Sequence, residues 1–212
     1  MSDNGLITVE WSTPLALDAP DVAARLSMLD DAERDRVARF ARQEDRARFV
    51  TGRMLLRTRA AAVLGLDPAD VRVELRCPRC GGPHGKPQVA GLEASVSHAA
   101  DRVVLAWRRS GPVGVDVERR QTWPAEIDAG DVLAPGEDAE DLLATWVRKE
   151  AVLKLRGTGL MEPMTGVRLD DPAHHLTAVD LGEDYVAVVA AADPAPIVTR
   201  PAEIAKNSTG RD

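Results

Sequence analysis

The 212-residue sequence predicts an α+β fold of two lobes that meet near residues 100–112. Two observations predict it. The first part of the chain carries two segments with apolar residues at helical spacing, whereas short β-like runs take over from Leu92. One more helical segment and a further pair of β-like runs follow, an order typical of α+β proteins. We place the lobes at residues 1–105 and 106–192, and a disordered tail at residues 193–212.

Two helices are predicted in the first lobe. Ser27–Phe40 has apolar residues at helical spacing and an Asp-Asp-Ala-Glu sequence suited to a helix N-terminus. Gln43–Leu64 repeats its apolar residues in the same way, and Gly65 followed by Pro68 supplies the stop. The lobe therefore contains a short helix and a long one with a brief connection.

The predicted strands are short and separated by turn residues. Val71–Leu75 alternates as a strand does, and Cys77–Pro87 is a loop rich in Gly and Pro. The later strands are expected at Ala94–Ser97, Arg102–Trp107, Val113–Val117, Val167–Leu169 and Tyr185–Ala191. A helix at Asp138–Arg156, ended by Gly157 and Gly159, precedes the last two.

Charge and composition exclude several classes of protein. The net charge of −7 argues against general nucleic-acid binding. No apolar run approaches the roughly 20 residues of a membrane span and the first ten residues lack a secretory signal, so we expect a cytoplasmic protein. Residues 31–59 nevertheless carry nine arginines against five acids. This local excess fits a phosphate-rich ligand or an acidic partner. Charge alone favours the alternative, an ordinary solvated helix face with ion pairs.

Two local patterns place carboxylates where they could act together. On a strand at Gly114-Val-Asp-Val-Glu118, Asp116 and Glu118 project from one face about 7 Å apart, a spacing that suits a hard cation or simply a wet edge strand. On the later helix, Trp146, Glu150 and Lys154 follow one another at i, i+4 and i+8, with Lys149 beside them. That stripe could be catalytic, or it could be an ordinary solubilising ion-pair face.

Two further motifs offer phosphate donors. Gly85-Lys86-Pro87 exposes a lysine on a stiff turn, and Ser95-Val-Ser97-His98 supplies hydroxyl and imidazole groups at a strand end. Taken alone, each is equally compatible with surface decoration.

Joined in order, these motifs and Gly52-Arg-Met-Leu-Leu-Arg57 resemble the 4′-phosphopantetheinyl transferases, specifically the larger, monomeric surfactin-synthetase-activating type. The resemblance covers about Leu26 to Leu160. It implies a pseudo-dimer of two similar α/β lobes with the active site between them. It also implies Mg²⁺-dependent transfer of phosphopantetheine from coenzyme A to a serine of an apo acyl or peptidyl carrier protein, with release of 3′,5′-ADP.

The resemblance also implies site residues. Asp116, Glu118 and Glu150 would hold Mg²⁺, and Glu150 would accept the proton of the attacking serine. Lys154 would stabilise the departing nucleotide. The remaining contacts to coenzyme A are assigned to Lys86, Ser97, His98 and Lys149, and more weakly to Arg36, Arg48 and Arg53.

Two segments depart from the family pattern or stand outside it. Glu33 occupies one of two positions where the first helix often carries a base toward the 3′-phosphate, and the segment between Glu118 and Trp146 is acidic. Cys77, Cys80 and His84 could supply three zinc ligands, but a structural zinc site takes four, so we favour a plain loop.

Three other functions remain open from the sequence. A nucleic-acid module would need a basic patch and a complete zinc knuckle. A coenzyme A- or carrier-binding protein without catalysis would share the fold, although all the acidic positions and Lys154 are present. A Mg²⁺-dependent phosphohydrolase would use the same residues with water. We expect acidic carriers to dock on the arginine excess of residues 31–59.

Overall fold

The computed structural model describes residues 5–77, 79–82 and 85–204. Within them lie nine strands and five α-helices. The strands are β1 (Ile7–Ser12), β2 (Glu74–Leu75), β3 (Pro87–Gln88), β4 (Glu93–Ala99), β5 (Arg102–Arg108), β6 (Val113–Arg119), β7 (His175–Ala178), β8 (Tyr185–Ala191) and β9 (Ile197–Pro201). The helices are α1 (Val22–Leu26), α2 (Asp31–Arg39), α3 (Gln43–Leu64), α4 (Ala129–Val132) and α5 (Leu142–Arg156). The predicted α+β class is confirmed.

The strands form two main sheets with the same internal topology. The first sheet has the order β4-β5-β1-β9 and the second has the order β6-β8-β7, while β2 and β3 form a small separate pair. In the first sheet β5 pairs antiparallel with both β1 and β4, and in the second β8 pairs antiparallel with both β6 and β7. A strand, a long helix and a hairpin therefore occur twice, as β1-α3-β4-β5 and β6-α5-β7-β8.

Local sequence explains where the main helices begin and end. The Asp30 side chain accepts from the Glu33 backbone and the Glu33 side chain accepts from the Asp30 backbone, a capping box that starts α2. At the start of α5, the Asp141 side chain accepts from the Ala144 backbone and so caps the helix. Gly65 ends α3 at a φ of 71°, a left-handed conformation that glycine adopts without steric cost. The predicted bounds of α3 are confirmed.

The two sheets share one core and touch along β4 and β6. Alternate residues of β5 divide between two clusters, because Val104 faces the shared core whereas Leu105 packs under α3. Between the sheets, the hydroxyl of Ser95 accepts from the Val115 backbone at 3.1 Å and that of Ser97 accepts from the Val117 backbone at 3.3 Å. These bonds step in the same direction along both strands, so β4 and β6 run parallel and are joined by side chains.

Several predicted elements differ from the observed ones. The run at Val167–Leu169 is not a strand, since the partner of β8 is β7. Residues 197–201, which we assigned to a disordered tail, form β9 beside β1. The lobe boundary at residues 105 and 106 falls inside β5, whereas the connection between the sheets follows Arg108. β1 was not predicted, and the helix predicted from Asp138 begins at Leu142.

No helix in the described part of the chain is long and apolar enough to cross a bilayer.

Candidate active site

Asp116, Lys154 and Ser97 form the centre of the site. The Lys154 ammonium lies 2.6 Å from Oδ1 of Asp116 and 2.9 Å from the hydroxyl of Ser97, which itself donates to Oδ1 at 2.8 Å. Asp116 is only 3% exposed, so it does not lie on the wet face of an edge strand. Its second oxygen, Oδ2, is buried with no hydrogen-bond partner among the described residues. One carboxylate oxygen is thus held firmly and the other remains available.

β6 brings its acids to this point because Gly114 lets it lie against α5. A Cβ at Gly114 would lie 2.0 Å from the Ala151 carbonyl oxygen, too close for any other residue without movement of the helix. Asp116 and Glu118 follow on the same face, and Val115 and Val117 point into the shared core. The predicted division of β6 into an acidic face and an apolar face is confirmed.

Glu118 and Glu150 complete a group of three neighbouring carboxylates. Desolvation, followed by the charges of Asp116 and Glu150, raises the pKa of Glu118 from 4.5 to about 7, against the opposing effect of Lys154. Burial is also the main cause that raises the pKa of Glu150, with Lys154 acting in the opposite direction and Asp116 adding to the rise. The site therefore holds more negative charge than Lys154 offsets.

His98 and Arg48 lie on the first-sheet side of this group. His98 keeps an exposed face, and its pKa is lowered by partial desolvation and then by the positive charge of Lys154. Arg48 is half-buried and donates to the Ala100 carbonyl at 3.1 Å and to Asp45. Arg48 therefore adds positive charge beside His98, whereas the lowered pKa of His98 favours an uncharged imidazole that offers hydrogen bonds.

Lys86 reaches the site from the loop before β3. Its ammonium donates to the Val113 carbonyl at 2.7 Å, and burial lowers its pKa. Lys86 lines a cavity of about 500 Å³ together with Ser95 and Lys154, and it also lines an adjoining cavity of about 690 Å³. Both volumes lie in the range of small-molecule sites.

Sequence reasoning did not single out the far wall of these cavities. Gly157 and Thr158, at the end of α5, and Arg79 line the smaller cavity, and Gly157 also lines the larger one. Gly157 has a φ of 74° and lies beside the Lys86 side chain. The Gly-Thr-Gly sequence three residues after Lys154 is the local signal for this wall, although by itself it predicts only the end of a helix.

Lys149 lies outside the site, contrary to the prediction that it contacts coenzyme A. The side chain is fully buried, and its ammonium donates to the carbonyls of Val132 at 2.7 Å and Met164 at 3.3 Å. It also forms an ion pair with Glu137. All three ammonium protons are therefore engaged within the protein.

Arg36 and Arg53 are not brought to the carboxylates either. Each guanidinium stacks on the ring of Phe49, at 5.4 Å for Arg36 and 5.1 Å for Arg53. Glu33, which stands where the family often has a base, is the buried partner of Arg57 at 2.7 Å. The first helix thus uses this position for internal packing.

The cysteine loop holds two reduced thiols, one buried at Cys77 and one exposed at Cys80. Backbone N–H groups of Cys80 and Arg79 donate to the Cys77 thiol and lower its pKa. His84 lies outside the described residues. Among residues 5–77, 79–82 and 85–204, no group of three or more His, Cys, Asp or Glu side chains is arranged to hold a metal ion.

Two protein-family models match the chain, one in its first half and one in its second half. Residues 16–110 match a family model described as the N-terminal part of 4′-phosphopantetheinyl transferase, and residues 112–192 match the model of the 4′-phosphopantetheinyl transferase superfamily. The chain belongs to this superfamily. The predicted family and the predicted class of enzyme are both confirmed, and the boundary between the two matches follows β5.

Individual transferases are similar over much of the chain. A 4′-phosphopantetheinyl transferase of Bacillus subtilis is 28% identical over 205 residues, which cover 84% of this chain and 88% of the relative. One from Nostoc is 26% identical over 168 residues, or 71% of this chain and 68% of the relative. A phosphopantetheinyl transferase of Thraustochytrium is 37% identical over 111 residues, which are 50% of this chain and 38% of that longer protein.

Proposed function

We propose that this transferase moves 4′-phosphopantetheine from coenzyme A to a serine of an apo acyl or peptidyl carrier protein, with Mg²⁺, and releases 3′,5′-ADP. The observation that carries the proposal is the convergence of Asp116, Glu118, Glu150 and Lys154 beside the cavities that Lys86 lines. Carriers of fatty-acid, polyketide or nonribosomal peptide synthesis are the proposed partners. The pseudo-dimer of two lobes, the monomeric state and the cytoplasmic location belong to the same proposal.

The carboxylates suit a divalent cation in their chemistry. Oδ2 of Asp116 is buried without a partner among the described residues, and the pKa of Glu118 is raised first by burial and then by the negative charge of Asp116. Carboxylate oxygens are the ligands that Mg²⁺ prefers. As placed, the three side chains are not arranged around one ion, so Asp116, Glu118 and Glu150 would hold Mg²⁺ only after they turn toward a common point. When bound, the metal would neutralise charge on the pyrophosphate of coenzyme A.

The side chains around the carboxylates account for the proton and the leaving group. The serine oxygen forms a bond to the β-phosphorus of coenzyme A, the bond from that phosphorus to the bridging oxygen breaks, and the serine proton passes to Glu150. A buried carboxylate with a raised pKa accepts a proton near neutral pH more readily than an exposed one. Lys154 stabilises the charge on the departing 3′,5′-ADP, which Lys86, Ser97 and His98 help to bind.

The arginines have a smaller part in the proposal. Arg48 adds a donor for phosphate near His98, whereas Arg36 and Arg53 would contact coenzyme A only through a change in their packing on Phe49. Lys149 is left out because its ammonium is buried and engaged.

Intact mass of an apo carrier protein, incubated with the enzyme, coenzyme A and Mg²⁺, tests the proposal. We expect a gain of roughly 340 Da, the mass of one phosphopantetheine, that disappears with EDTA, as metal-assisted phosphoryl transfer requires. Asp116→Asn serves as the matched inactive variant. Coenzyme A binding without any gain across several carriers would instead support a binding protein, and release of free phosphopantetheine would support a hydrolase.

A further inference from the structure

A groove beside Glu150 has an apolar floor and an acidic rim. Ile127, Trp146 and Met164 line its floor, and the acids at its edge are Glu126, Asp128, Asp131 and Glu162. The groove encloses about 400 Å³. We call it the Trp146 groove. We propose that it docks the carrier protein and selects carriers whose serine-bearing face is basic, an inference that rests on the proposed function because it names the partner of the same site.

The position of the groove follows from helix geometry. Trp146 precedes Glu150 by four residues on α5, so the two side chains lie on one face about 6 Å apart along the axis. A carrier whose serine comes within hydrogen-bond reach of Glu150 must therefore cover Trp146. An aromatic side chain in an apolar depression is the usual anchor of a protein interface.

The charge of the rim defines the chemistry of the partner. Residues 126–141 contain seven acids, and residues 121–147 contain no Lys or Arg. Two of these acids are paired with residues outside the segment, Glu137 with Lys149 and Asp141 with Arg120. In the described part of the chain, Glu126 and Asp131 are exposed and form no ion pair, while Glu162 pairs with Arg156. Arg148 is two residues from Trp146 and so projects from another side of α5. Such a rim attracts a basic face and repels an acidic one.

The groove is preformed because Lys149 holds its walls. The buried Lys149 ammonium donates to the carbonyl of Val132, the residue after Asp131 on the acidic rim, and to the carbonyl of Met164 on the apolar floor. Its ion pair with Glu137 fixes the segment after α4. A rigid surface of this kind loses little conformational entropy when a partner binds.

This inference replaces the expectation that acidic carriers dock on the arginines of residues 31–59. The structure engages many of those arginines internally. Arg34 pairs with Asp31, Arg48 with Asp45, Arg57 with Glu33 and Arg59 with Glu10. An acidic carrier therefore meets less free positive charge there than the sequence suggests.

The test uses one apo carrier domain in two forms, with either Glu or Lys at the exposed positions that flank its serine. Transfer is measured as kcat/KM with wild-type enzyme, with the groove variant Glu126→Lys/Asp131→Lys, and with the control Asp70→Lys/Glu203→Lys. The control reverses two exposed acids that do not line the Trp146 groove, and so it changes net charge equally. Affinities for Ser→Ala forms of both carriers report docking without chemistry.

We expect the wild-type enzyme and the control to prefer the Lys form of the carrier by about tenfold in both kcat/KM and affinity. The groove variant should lose this preference. Its KM for coenzyme A should equal that of the wild type. A wild-type preference for the Glu form, or a preference unchanged in the groove variant, would overturn the docking assignment. A third result would separate the two proposals. If neither carrier is modified but the Ser→Ala carrier with Lys residues still binds selectively, the proposed function is rejected and the docking role of the groove stands.

Discussion

The Lys154 ammonium lies 2.6 Å from Oδ1 of Asp116, so each of these two residues neutralises the other in the free enzyme. The carboxylate is buried and the lysine side chain is 27% exposed. The pair is joined to the opposite sheet through Ser97. Lys154 is thus the ion-pair partner of a buried carboxylate, and in the proposed reaction it is also the cation that stabilises the leaving phosphate.

Lys154→Met is expected to lower kcat for transfer by about 100-fold, because it removes a positive charge aimed at the leaving group. It should also destabilise the fold by leaving Asp116 buried without its cation. Urea denaturation of Lys154→Met, Asp116→Asn and the double variant measures this coupling, expected at about 1–3 kcal/mol. Additive effects of the two single changes would contradict the pairing.

Glu118 makes stability depend on pH in a defined direction. Its pKa rises from 4.5 in the unfolded chain to about 7 in the folded one, so the folded state binds this proton more tightly. The contribution of Glu118 to stability therefore falls between about pH 4.5 and pH 7 and stays constant above. Glu118→Gln should match the wild type near pH 4 and exceed its stability near pH 8.

Denaturation midpoints across this pH range test the expectation for Glu118. Glu183→Gln, a change at an exposed acid, is the control and should follow the wild-type curve. A Glu118→Gln curve parallel to that of the wild type would mean that Glu118 ionises normally in the folded protein.

Ser95 and Ser97 both join β4 to β6, but only Ser97 also contacts the candidate active site, so substitutions of the two separate stability from catalysis. Each hydroxyl accepts one backbone N–H of β6, but only that of Ser97 also contacts Asp116 and Lys154. We expect Ser95→Ala and Ser97→Ala to lose similar stability, about 1 kcal/mol each. Only Ser97→Ala should lower kcat at saturating coenzyme A. Equal kcat values in the two variants would remove the positioning role of Ser97.

Local sequence predicted the parts of the site that depend on local geometry. Two-residue alternation along β6 put Asp116 and Glu118 on one face, and four-residue spacing put Glu150 and Lys154 on one side of α5. The bounds of α3 followed from its apolar pattern and Gly65. These features can be predicted because they depend only on residues that are close together in the sequence.

Contacts between distant segments could not be predicted in this way. β9 gains its partners from β1, about 190 residues earlier, so its polar and Pro-containing sequence appeared disordered. Lys149 lies in a motif rich in charged residues, and its neighbours in sequence do not indicate that it is buried. Its ammonium binds two carbonyls and Glu137, all of which lie in other segments. Glu33 likewise looked like an exposed helical acid until α3 placed Arg57 beside it.

Lys149→Met tests its assignment as a structural residue. The substitution leaves Glu137 and the two carbonyls without their donor, so we expect a loss of several kcal/mol of stability, typical of a broken buried ion pair. KM for coenzyme A should stay within about twofold of wild type in the folded fraction, while KM for the carrier rises because the Trp146 groove loosens. A large, selective increase in KM for coenzyme A would restore the original assignment of Lys149 as a ligand.

The buried pair of Glu33 and Arg57 anchors α2 to α3 and should respond to substitution as a unit. Arg57 is 1% exposed and donates to Glu33 at 2.7 and 2.9 Å, to Asp30 at 3.2 Å and to the Val71 carbonyl at 2.8 Å. Arg57→Met strands the Glu33 carboxylate, so we expect a cost of about 3–5 kcal/mol. The double variant Glu33→Met/Arg57→Met removes both charges and should regain part of this loss in urea denaturation. A double variant less stable than Arg57→Met would mean that the Glu33 carboxylate stabilises the fold without Arg57, through the capping box and Arg53, whose Nε lies 3.5 Å from it.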